Sequence, residues 1–115
     1  MFKRLIKYYT KSKDEKSPRY RRDFAKELNG LHIKYVTERI NDNDDVIGKD
    51  GALIYKEDVD EFLVYASSDV IFRANVPDLA AWQLLSGDGV VLTAPDIEHG
   101  GVERTIIAYY TYHRK

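Results

Sequence analysis

Two periods of hydrophobic recurrence divide the chain near residue 30. Before it, apolar residues return at helical spacing. Phe2, Leu5, Ile6 and Tyr9 alternate with Lys3, Arg4 and Lys7, and after the polar run 10–16 the stripe Tyr20, Phe24, Leu28 falls at i, i+4, i+8. Ser17-Pro18 reads as an N-cap followed by proline at the first helical position, where its missing N–H costs nothing. Asn29-Gly30 is a suitable stop, because glycine tolerates the left-handed conformation that follows many helices. The spacing therefore predicts two short helical pieces, the better defined over 18–29.

From Leu31 the period changes to two. Leu31, Ile33 and Tyr35 alternate with His32 and Lys34, the pattern of a strand with one buried face. The polar stretch Asn41 to Asp45 reads as an acidic loop, and Asp50-Gly51 as a hairpin turn, since glycine supplies the positive φ of such turns. Short strands are predicted at 52–55, 61–66 and 70–74. Pro77 to Ser86 is predicted as a short helix, with Asp78 near its positive end and Leu79, Trp82 and Leu85 at helical spacing. Trp82 is then a core anchor. Val90 to Thr93 and Arg104 to Tyr112 are predicted as strands of one hairpin, joined by a long loop across Pro95 and Gly100-Gly101. The second carries the strongest run of β-formers.

Short strands linked by tight turns favour antiparallel pairing. The expected architecture is α+β: a mostly antiparallel sheet or partly open barrel of five to six strands, with an N-terminal helical segment and one short mid-chain helix packed on it. At 115 residues this is read as a single domain, a basic helical segment over 1–30 and an acidic sheet-rich body over 31–115. The order of elements is loosely similar to small bacterial barrels of the pleckstrin-homology type. That resemblance lies at fold level and implies no site. The family usually closes its barrel with a C-terminal helix, whereas here the strongest helix signal comes first.

Charge sharpens the division. The net charge is -1, yet residues 1–29 hold ten Lys and Arg against four Asp and Glu, and residues 30–115 hold eight against fifteen. A basic segment on an acidic body either docks on that body or meets an anionic partner. Arg19, Arg21, Arg22 and Lys26 are the cluster that would contact nucleic acid or an acidic membrane surface, with steep salt dependence. In the structural reading, preferred here, Tyr20, Phe24 and Leu28 cover the sheet while the cations stay solvated or pair with the body.

The candidate chemistry is sparse. Cysteine is absent, so disulfides, thiolate metal sites and thiol nucleophiles are excluded. Counted from Asp42, the acidic loop places Ile47 and Leu53 where a calcium-binding EF-hand needs glycine and glutamate. Asp96, Glu98, His99 and Glu103 crowd one loop without metal-ligand spacing, leaving a metal-assisted enzyme as the weakest reading. No nucleophile elbow or phosphate-binding loop is present. Tyr109, Tyr110 and Tyr112, three of nine tyrosines, form an aromatic stretch beside Arg104 and Arg114. Cross-strand packing is the commoner reason for such a stretch, and base stacking the rarer one. No run of apolar residues is long enough for a membrane span, and the basic N-terminus lacks the apolar core of a signal peptide. The expectation is a cytoplasmic, non-enzymatic interaction module without a cofactor. It would bind a protein partner or a second copy of itself, through an exposed strand edge or the aromatic surface at Tyr109, Tyr110 and Tyr112.

Overall fold

The computed structural model describes residues 17–40 and 43–111. The proposed helical piece over 2–9, together with Tyr112 and His113, lies outside them. Among the described residues one helix, α1 (Pro18–Leu28), precedes seven antiparallel strands: β1 (His32–Ile40), β2 (Asn43–Lys56), β3 (Glu61–Ala66), β4 (Asp69–Asn75), β5 (Ala80–Gln83), β6 (Gly89–Asp96) and β7 (Val102–Tyr109). They form a single open sheet in the order β4-β3-β2-β1-β7-β6-β5. The count exceeds the expected five to six, and the sheet is not the closed barrel of the resemblance.

The start of α1 follows from its sequence. The Ser17 hydroxyl accepts the Tyr20 N–H at 3.0 Å, and Pro18 opens the first turn. At the other end Gly30 takes a left-handed φ of 87°. Its N–H donates to the Leu53 carbonyl at 2.7 Å, while the Asn29 side-chain oxygen accepts the Tyr55 N–H at 2.8 Å. The helix stop is thus also the joint that ties α1 to β2. Phe24, Ala25 and Leu28 bury into the main cluster with Leu53, Tyr55, Phe62, Val64, Phe72, Val76 and Leu79.

Several local expectations fail: β2 begins at Asn43, inside the expected acidic loop, and β6 runs on through Pro95 to Asp96. Residues 77–86 are not a helix. Val76–Asp78 is a single 3-10 turn, after which β5 pairs with β6 through Ala80 to Thr93 and Gln83 to Val90. A short apolar run satisfies both periods, and here the neighbouring strand decides between them. Trp82 is consequently no core anchor. It points away from the core and remains 50% exposed. Nor is Asp50-Gly51 a hairpin turn. β2 runs straight through it, with Asp50 at a φ of 52° as a kink inside the strand. Before the kink β2 pairs with β1 from Tyr35 to Ile40; after it β2 also pairs with β3, beginning at Gly51 opposite Ala66. The kink is where the sheet turns its corner.

This curl brings the edge strand β4 toward β6 and the 3-10 turn at Ile97–His99. α1 sits at one mouth of the curled sheet, against β2, β5 and the Val76–Asp78 turn. Pro95 is accommodated in β6 because the sheet there has a partner, Glu103 of β7, on one side only: β5 ends its pairing at Thr93.

Candidate functional site

The four basic residues of the anionic-ligand reading are scattered around α1, and three of them engage the body. Arg21 donates through Nη1 to the carbonyls of Pro77 (3.1 Å) and Leu79 (2.9 Å). Arg22 forms a two-pronged contact with Asp60 at 3.3 and 3.0 Å, and Lys26 lies 3.5 Å from Glu57. Arg19 is exposed. The hydrogen bond from Arg22 holds the Asp60 carboxyl below its ordinary range, outweighing partial burial, and raises the guanidinium in return.

Tyr55 completes this corner by donating its hydroxyl to Asp60 at 2.7 Å. Burial, then the bond to an anion, pushes the Tyr55 hydroxyl up to about 12. Its folded value exceeds the unfolded value of about 10. The stabilisation is therefore full below about pH 10 and lost as pH rises through about 12. An alkaline titration followed by tyrosinate absorbance is expected to show late ionisation that coincides with unfolding, reduced by one tyrosine in Tyr55→Phe.

Of the tyrosines predicted to form a surface, Tyr109 and Tyr110 part company. Tyr109 stacks on Tyr35 across β7 and β1, ring centroids 4.6 Å apart. Tyr110 lies just past β7 and packs against the core, its hydroxyl donating to Gln83 at 3.1 Å and pushed up by burial. Tyr112 is outside the described residues. β7 is not a sheet edge either: it lies between β1 and β6, and the edges are β4 and β5. A strong β-former run is as well suited to the middle of a sheet as to its rim.

The register instead assembles a row of four apolar residues and one buried threonine on the outer, convex face. Directly opposite residues run Trp82 to Val91, Val91 to Ile107, Ile107 to Thr37 and Thr37 to Val46, crossing five strands. The Tyr35–Tyr109 stack lies beside it on the same face, two residues along each strand. Val91 and Thr37 in the middle are buried, whereas Trp82 and Val46 at the ends are 50% and 51% exposed. α1 packs on the other, inner side, among the core residues. The sequence pattern does not mark Trp82 and Val46 as surface residues: Trp82 falls at helical spacing, and Val46 lies between the acidic stretch and Asp50-Gly51, outside the predicted strands. Alternation at 105–109 did carry the signal, but it does not say which face is inside.

A second cluster closes the seam between β4 and β6. Asp96 is fully buried and accepts only from donors: the Arg73 N–H (3.0 Å), the Glu98 N–H (3.0 Å), Arg104 Nη1 (2.6 Å) and His99 Nδ1 (2.6 Å). Arg104 also grips Glu38 with two bonds of 2.9 and 2.7 Å and donates to the Ile71 carbonyl of β4. Arg73 bridges Glu98 and Glu61. Burial alone would push Asp96 up, but its backbone and side-chain donors together hold it below the usual carboxylate range. Glu38 is lowered chiefly by the bond from Arg104. These side chains occupy β4 backbone groups that an unpaired edge would leave open.

The Asp96–His99 pair has the form of a base held by a buried carboxylate, yet among the described residues no hydroxyl is hydrogen-bonded to His99. Of the crowded loop, Asp96, Glu98 and His99 are engaged in ion pairs, while Glu103 is exposed on β7 opposite Pro95. Among the described residues no group of three His, Asp or Glu is arranged to hold a metal ion, and no helix is long and apolar enough to cross a membrane. Comparison with protein-family models, curated proteins and solved structures returns no match.

Proposed function

We propose that this chain is a non-enzymatic interaction module that presents the convex face of its sheet to a protein partner or to a second copy of itself. The observation that carries the reading is the apolar row across five strands, with a tryptophan at one end keeping half its surface in water. Large apolar side chains left half exposed on one face are candidate contacts, and aromatic residues dominate the energetics of interfaces. The anionic-ligand alternative has less to work with: Arg22 and Lys26 already pair with carboxylates of the body, and Arg19 lies apart from them at the exposed surface.

The test is site-specific photocrosslinking from position 82 in the producing cell, with the same probe at Glu98, beside the seam, as control. A discrete adduct from position 82 alone, either with one protein or with the chain itself, supports the reading. Equal labelling from both positions, or none from position 82, overturns it.

A further inference from the structure

The rim of the sheet beside α1 offers a second surface, distinct from the convex face. Leu84 N–H donates to the Gly89 carbonyl at 2.8 Å, so 84 and 89 form a hydrogen-bonded pair. Bonded and non-bonded pairs alternate along an antiparallel ladder. Ala80 and Trp82 therefore turn their backbone groups toward β6, while Ala81 and Gln83 turn theirs to the open side. β5 is a terminal strand, and among the described residues no hydrogen bond reaches the outward N–H and carbonyl groups of Ala81 and Gln83. The opposite edge differs: there the Arg73 N–H and the Ile71 carbonyl of β4 are occupied by Asp96 and Arg104. One edge is closed by side chains and the other is left open.

The open edge runs beside α1, with a small cavity of about 40 Å³ between them, lined by Tyr20, Arg21, Phe24, Leu79, Ala81 and Trp82 among others. Arg21 is the charged group of this groove. It donates to two carbonyls, but no carboxylate lies within ion-pair distance of it among the described residues, and its Nε is buried without an acceptor. Its neighbours Arg22 and Lys26, by contrast, have Asp60 and Glu57. A half-sheltered guanidinium without a counter-charge attracts an anion. The chain's own residues 1–16 are a poor complement, since they hold six Lys and Arg against two acids.

We infer that β5 accepts an extended acidic segment of a partner protein as an additional strand. Backbone groups of the segment pair with Ala81 and Gln83, and a carboxylate of the segment lies against Arg21. Such strand addition draws affinity from main-chain bonds and selectivity from the side chains flanking the edge.

The experiment is an amide-shift titration of the labelled full chain with the blocked peptide acetyl-Glu-Thr-Val-Glu-Val-Thr-Glu-amide, and with its counterpart carrying lysine for each glutamate. The acidic peptide is expected to move the Ala81 and Gln83 amides and the Arg21 Nε–H together, saturably, while the lysine peptide leaves them still. Ala81→Pro removes an outward N–H without touching the ladder to β6 and should abolish these shifts with the melting temperature retained. Should Ala81→Pro fail to fold, Arg21→Gln serves instead and is expected to weaken binding about tenfold or more. The inference is overturned by equal binding of the lysine peptide, by unchanged binding to Ala81→Pro or Arg21→Gln, or by Ala81 and Gln83 amides already protected from exchange in the free chain. Shifts confined to Val46, Trp82 and Tyr109 would also overturn it, while leaving the convex-face reading intact.

Discussion

Gly51→Ala is expected to destabilise the fold by about 3 kcal/mol or more, at the upper end of what overpacking costs. The site lies where β2 first meets β3, and a methyl group built there runs into the Tyr65 carbonyl and comes within 2.8 Å of the Ala66 Cα. Both obstacles are backbone of the neighbouring strand, so relief requires moving β3 rather than rotating a side chain. The matching control is Gly101→Ala. Gly101, unlike Gly51, sits at a positive φ, 81°, and a methyl there meets nothing within 4 Å. That change should cost only the left-handed strain of about 1–2 kcal/mol. Urea denaturation of the two variants separates the effects. Equal losses would mean that β2 and β3 do not approach as closely as described.

Asp96→Asn should lower the unfolding free energy by about 3–5 kcal/mol, the range seen when one member of a buried ion pair is removed. All four contacts to Asp96 are donors, and asparagine replaces one acceptor oxygen with a further donor while leaving Arg104 only Glu38 as an anionic partner. The loss is a large share of the roughly 5–15 kcal/mol that stabilises a domain of this kind.

Its pH dependence has a definite sign. Asp96, Glu38 and Asp60 all have folded values held below their unfolded ones. Their stabilisation is present above about pH 4, where the unfolded carboxyls ionise, and is lost as pH falls through the lower folded values. Wild type should therefore melt at progressively lower temperature below about pH 4. Asp96→Asn should show a shallower decline from a lower starting point. A variant within about 1 kcal/mol of wild type at neutral pH would show that the seam does not depend on this carboxylate.

The sequence by itself determined the elements whose signals are local. Ser17, Pro18 and Gly30 bound α1, because capping and backbone freedom involve only a few neighbouring residues. The stripe Phe24 and Leu28 is buried as its spacing requires, and Glu61–Ala66 is a strand with the limits read from its pattern. The absence of cysteine and of known motifs was equally legible. The apolar stripe and the split of charge together favoured α1 docking on its own body over an anionic partner, although not that Arg22 would choose Asp60 or that Arg21 would choose carbonyl groups.

Tertiary structure alone decided the rest. Residues 79–85 satisfy both a helical and an extended period, and pairing with β6 selected the strand that turns Trp82 outward. Asp50-Gly51 has the chemistry of a hairpin turn, but the same positive φ serves a kink where β2 passes from one partner to two. Glu38, Arg104 and Asp96 lie on the neighbouring strands β1, β7 and β6, and the curl of the sheet then brings Arg73 of the edge strand β4 to them. The convex row depends on the register of five strands, to which each strand contributes a single residue. A periodicity along the chain reports that a strand has two faces. Which of them meets the core is set by the strands beside it.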